Sequence, residues 1–205
     1  MRVQALLAML ICVAAVAQER PQKACAFDGF SAVGKLAEVT RPTVGYYGCS
    51  SAADCMPTKL AARDVVAPYR VDGDWTCAFI QQGNGASPGW VKTGDIRDIP
   101  ADTAPPLGAW AGTWVNGRGR IRIAPSNTGG NLHIAGEAEW HGVGGVVHTG
   151  EFEGDAPPQG NHLHFVEAGA DSCTVDLTLI GRYLVADDND RCGGMNVRFW
   201  GIWKR

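Results

Sequence analysis

The C-terminal half, Leu107 to Arg205, constrains this chain more than any other stretch. It opens on Leu107-Gly-Ala-Trp-Ala-Gly-Thr-Trp114 and closes on Cys192-Gly-Gly-Met-Asn-Val-Arg-Phe-Trp-Gly-Ile-Trp203, with short alternating runs between these aromatic book-ends. Ile121 and Ile123 alternate with Arg120 and Arg122, Leu163 and Phe165 with His162 and His164, and Val175, Leu177 and Leu179 with Thr174, Asp176 and Thr178. Successive side chains of a strand point to opposite faces, so each run has one apolar and one polar face. Such strands bury their apolar faces by closing into a ring, with the first and last strands as neighbours. The expected fold is all-β. About eight antiparallel strands form an up-and-down barrel over 107–205, near Trp110–Val115, Gly119–Ala124, Asn131–Trp140, Val146–Gly154, His162–Glu167, Cys173–Ile180, Tyr183–Asp187 and Met195–Trp203. The whole chain carries 27 glycines and 11 prolines in 205 residues, too dense a punctuation for long helices.

Residues 1–17 read as a secretory signal peptide: Arg2, an apolar run from Val3 to Val16 broken only by Gln4, then Ala15-Val-Ala17 as the small-residue cleavage site. The run is short for a membrane span, so none is expected in the mature chain. The leader implies a periplasmic or secreted protein. The net charge of −3 includes no basic block, which excludes an extended nucleic-acid interface. Cys12 leaves with the leader. The remaining Cys25, Cys49, Cys55, Cys77, Cys173 and Cys192 are an even set, as a disulfide framework requires in an exported chain. No Cys-x-x-Cys spacing points to zinc or redox chemistry. In an up-and-down meander Cys173 and Cys192 fall at one barrel end and are expected to pair.

Residues 24–99 form a separate module, joined to the barrel by the proline-rich linker 100–106. The segments Leu60-Ala-Ala-Arg-Asp-Val-Val66, Val71-Asp-Gly-Asp-Trp-Thr-Cys-Ala-Phe79 and Pro88-Gly-Trp-Val91 resemble the bacterial SH3-like domains of exported envelope proteins. Asp72-Gly-Asp74 is turn chemistry, and Trp75, Cys77 and Phe79 share one face of the strand that follows. The four cysteines here allow three pairings, of which Cys25–Cys77 and Cys49–Cys55 are favoured. The resemblance implies binding of cell-wall peptides or protein contacts, with Tyr46, Tyr47, Trp75 and Trp90 as groove candidates. The two tryptophans also fit a small-barrel core. In the second half, Gly112-Thr-Trp114 resembles the first strand of calycin-type barrels. The closing segment resembles the last strand of bacterial exported proteins and of periplasmic lysozyme-inhibitor barrels.

The five histidines, His133, His141, His148, His162 and His164, all lie in the second half. His162 and His164 share a strand face, and His133 lies opposite Leu132 and Ile134. These three could form an exterior metal site if their strands are adjacent; solvated polar-face residues are the plainer reading. Glu151-Phe-Glu153 and the turn Asp187 to Asp190 lack the spacing of a glycosidase pair or a calcium loop. No serine sits in a Gly-x-Ser-x-Gly setting. The reading is therefore an exported, non-enzymatic binding protein without a cofactor. Its expected partner is a cell-envelope component or a protein such as a cell-wall hydrolase. A small-ligand or metal carrier, using the barrel interior or the histidine face, is the alternative.

Overall fold

The computed structural model describes residues 24–26, 34–48, 56–82, 85–169 and 172–205. Residues 1–17, expected to be a leader, and the expected Cys49–Cys55 pairing lie outside them. Strands dominate, in two antiparallel sheets.

The first sheet holds β1 (Ala37–Val39), β2 (Thr43–Gly48), β3 (Met56–Ala61), β4 (Val65–Asp72), β5 (Trp75–Gln82), β6 (Gly85–Lys92) and β7 (Ile96–Asp98), in the order β3-β2-β6-β5-β4-β1-β7. The β4–β5 turn needs Gly73, which sits at φ +57°. Val44, Leu60, Val66, Ala78, Ile80 and Val91 make a small core on one face. Trp75, Cys77 and Phe79 take the other face of β5 and are still buried, because other parts of the chain cover them. Cys25 is bonded to Cys77 and seals one end of that face.

The second sheet is a nearly closed barrel: β8 (Gly112–Val115), β9 (Gly119–Pro125), β10 (Leu132–His141), β11 (Val147–Ala156), the two-residue β12 (Pro158–Gln159), β13 (His162–Val166), β14 (Thr174–Ile180), β15 (Tyr183–Asp188) and β16 (Gly201–Lys204). The order is β11-β10-β9-β8-β16-β15-β14-β13-β12, so the first and last strands are neighbours, joined at Val115 and Lys204. The gap in the ring falls between β11 and β13. There the Phe165 ring lies over Gly154 and meets Phe152 at 5.6 Å between centroids. Cys173 and Cys192 are bonded, with Cα atoms 4.6 Å apart. The segment after Cys192 crosses to the free edge of β11, where Gly193 bridges Gly150 and the Gly194 N–H donates to the Thr149 carbonyl at 3.0 Å. That edge is thereby covered.

Two strand boundaries differ from expectation. Trp110 belongs to a helical turn, α1 (Leu107–Trp110), and residues 195–200 are not strand. The cause is the same at both ends. The Trp114 indole N–H donates to the Trp110 carbonyl and the Trp203 indole N–H to the Phe199 carbonyl, each at 3.0 Å. The Phe199 N–H is also taken, by the Asp188 carboxylate. With those groups occupied, each ladder starts at a glycine of matching conformation, Gly112 at φ +142° and Gly201 at φ +140°. The book-ends are thus one motif used twice, on adjacent strands.

The barrel is filled. Trp110, Trp114, Ile121, Leu132, Ile134, Phe152, Phe199 and Trp203 are wholly or almost wholly buried in a single cluster. The two modules are not beads on a string. Leu36, Val65, Ala67 and Phe79 of the first pack against Ile180, Tyr183, Val185 and Ile202 on the barrel exterior, and Phe79 meets Trp200 edge-on at 5.5 Å. Gln81 clamps the junction: its Nε2 donates to the Asn116 carbonyl at 2.9 Å and its Oε1 accepts from the Ile202 N–H at 3.0 Å.

Candidate functional site

A groove of about 570 Å³ opens on the first module between Tyr47, Trp75 and the turn residues Gly73 and Asp74, with Arg41, Lys92 and Asp95 on its rim. β2 places Tyr47 at its wall. The tyrosine ring lies back over Gly45, where an added Cβ would come within 2.9 Å of the hydroxyl. The ring meets Trp75 edge-on at 5.7 Å, a favoured aromatic geometry. Lys92 ends β6 with its ammonium 5.7 Å from the Trp75 ring centroid. Arg41 is paired with Asp95 at 2.8 Å. The groove therefore has an aromatic wall and a rim of both charge signs, which suits a polar chain carrying an apolar group.

The four aromatic candidates separate. Trp90 is wholly buried in the cluster of Cys25, Cys77 and Trp75, under the Arg70 guanidinium at 5.4 Å, and is core. Trp75 is only 5% exposed, yet it lines the groove. Tyr47 is half-buried and lines it too. The Tyr46 side chain lies outside the described residues. Sequence reasoning missed Arg41, Asp74, Lys92 and Asp95, charged residues in turns and at strand ends that carry no periodic signal.

The expected three-histidine site is not assembled. His133 is on β10, while His162 and His164 are on β13, with β11 and the barrel gap between. Each ring instead meets its cross-strand neighbour, as residues paired across a ladder do. His133 Nδ1 lies 2.8 Å from Asp155 and its Nε2 3.2 Å from Glu153. His164 Nδ1 lies 2.6 Å from Asp176, and His162 Nδ1 is 2.9 Å from the Thr178 hydroxyl. Among the described residues no three His, Cys, Asp or Glu side chains are arranged to hold a metal ion.

Among the described residues three carboxylates depart from their ordinary titration, all for structural reasons. Hydrogen bonds from Ser126 and His133 hold Asp155 below the usual aspartate range. The Arg120 hydrogen bond, with the charges of Arg120 and Arg122, does the same for Glu137. Burial pushes Asp188 up, against the backbone N–H groups of Phe199 and Asp190 that it accepts from. Burial likewise lowers Arg118, whose guanidinium lies 4.4 Å from the Trp200 ring centroid. None of these groups faces the aromatic groove.

No protein family, no curated protein and no solved structure matches this chain.

Proposed function

We propose that this chain is an exported, non-enzymatic binding protein whose first module receives a cell-wall peptide or a peptide segment of a protein partner in the Tyr47–Trp75 groove. The observation that carries this reading is the groove itself, in which an aromatic pair is bordered by Lys92, Asp74 and the Arg41–Asp95 pair. Aromatic walls with mixed charges grip an amphipathic chain through its apolar and ionic groups together. Two disulfides fit an oxidising, non-cytoplasmic compartment, and residues 1–17 would supply the export signal. No helix among the described residues is long and apolar enough to cross a membrane.

The SH3-like resemblance supports the same partner class; the Gly73 turn joins β4 to β5, and Trp90 lies on β6. Gly112-Thr-Trp114 opening the first barrel strand is compatible with a calycin-type barrel. The carrier alternative gains nothing from the barrel interior, where tryptophan and phenylalanine occupy the space a ligand would need.

The test is retention of the purified protein on insoluble peptidoglycan, with inhibition of lysozyme assayed in parallel. Retention that is lost in Tyr47→Ala, or inhibition, is expected. Neither retention nor inhibition at micromolar protein discards the reading.

A further inference from the structure

The junction of the two modules encloses a second cleft, of about 400 Å³, lined by Asp64, Val65, Ile80 and Gln81 from the first sheet and by Val115, Asn116, Gly117, Ile202 and Lys204 from the barrel. Its polar inventory does not close. Asn116 is 8% exposed, and its Oδ1 accepts from the Arg118 N–H at 3.1 Å, which fixes the orientation of the amide. The other end, Nδ2, is buried and has no hydrogen-bond partner. Gln81 cannot supply one, because both ends of its amide are committed to the Asn116 carbonyl and the Ile202 N–H. A buried donor left unpaired is a cost to the folded state that a bound acceptor would remove. At the rim, the Lys204 ammonium makes no hydrogen bond or ion pair among the described residues. Val65, Ile80 and Ile202 give the same cleft an apolar wall.

We infer that this cleft is a binding site for a small amphipathic carboxylate, its anionic end taken by Asn116 Nδ2 and Lys204 and its apolar body laid on Val65, Ile80 and Ile202. A carboxylate is the group that satisfies both an orphaned amide donor and an unpaired ammonium. Asp64 also lines the cleft, with its carboxylate accepting from the Ala61 N–H at 2.8 Å, and disfavours a second negative charge on the ligand. Because both modules contribute to the lining, an occupant also ties them together. The site is distinct from the Tyr47–Trp75 groove and stands or falls without it.

The experiment titrates N-acetyl-leucine into the 15N-labelled full chain and follows backbone and side-chain amide resonances. Saturable shifts at millimolar probe are expected at Ile80, Ile202 and the Asn116 side-chain amide. N-acetyl-leucinamide, which has the same body without the charge, binds at least several-fold more weakly. Asn116→Asp keeps the acceptor for Arg118 and removes the donor, and it weakens binding by roughly tenfold. Lys204→Met, on an exposed side chain, weakens it several-fold and leaves the spectrum of the free protein native, which separates lost binding from lost folding. Absence of shifts, shifts confined to another surface, equal binding of the uncharged amide, or binding unchanged in Lys204→Met each overturns the inference.

Discussion

At the residue scale, the chain stakes its modular geometry on Gln81. Replacing it with leucine keeps most of the volume but strands the Asn116 carbonyl and the Ile202 N–H. Leaving such groups unpaired costs about 1–3 kcal/mol each when solvent cannot reach them. Gln81→Leu is therefore expected to lower the unfolding free energy by roughly 2 kcal/mol in urea; an unchanged midpoint shows that the clamp contributes nothing. The carboxylates make opposite contributions to pH dependence. Asp155 and Glu137 are depressed when folded, so the stability they add is present above their unfolded values and is lost as pH falls through the folded ones. Asp188 is raised, so the folded state holds its proton longer, and stability declines as pH rises from the ordinary aspartate value through the folded one. Carbon-detected titration should put Asp188 above the ordinary 3.8 and Asp155 below it; the reverse order contradicts the environments described.

At the element scale, glycines mark where strands press against rings. A Cβ on Gly136 of β10 would stand 2.1 Å from the Phe152 ring. Overpacking of that kind costs about 1–3 kcal/mol, so Gly136→Ala should be destabilised by that amount in thermal unfolding, and neutrality shows that Phe152 can move aside. The Cys173–Cys192 bond pins the crossing that covers β11. Replacing both cysteines by serine should cost about 2–4 kcal/mol and raise hydrogen exchange at Gly194, whose N–H donates to the Thr149 carbonyl. Protection of the Gly194 amide that survives the replacement means that the backbone bridge at Gly193 and Gly194 suffices alone. Much of this level was legible in the sequence. The alternation of Ile121 with Arg122 and of Leu163 with His164 located strands to within a residue or two, and strand direction then put Cys173 beside Cys192. The ends were not legible. Nothing in the pattern of Trp110 or Phe199 says that their carbonyls serve an indole four residues on, so those residues read as strand.

At the scale of the whole molecule, the junction between the modules was the least legible part. Tyr183-Leu-Val-Ala186 is apolar on both faces, and that doubling is the sign of a strand covered inside and out. Which surface does the covering depends on Val65, Ala67 and Phe79, more than a hundred residues away, and no local pattern carries that information. Phe79→Ser is expected to loosen the modules against each other while the barrel stays intact, seen as exchange broadening at Tyr183 and Val185 with sharp resonances at Ile121 and Ile134. Uniform unfolding instead means that the two cores are one cooperative unit. The groove shows the same division. Trp75 was named from the sequence as a groove candidate, with a core position as the plainer reading, whereas Arg41, Lys92 and Asp95 became its neighbours only through the antiparallel order of β2, β6 and β5. On the proposed function, that groove is presented to a peptide from a disulfide-crosslinked body. The direct measurement is indole N–H spectroscopy of the full chain during addition of soluble peptidoglycan peptides. Saturable movement of the Trp75 resonance, with Trp114 and Trp203 unmoved, is the predicted result. A Trp75 signal that stays fixed at saturating peptide contradicts it.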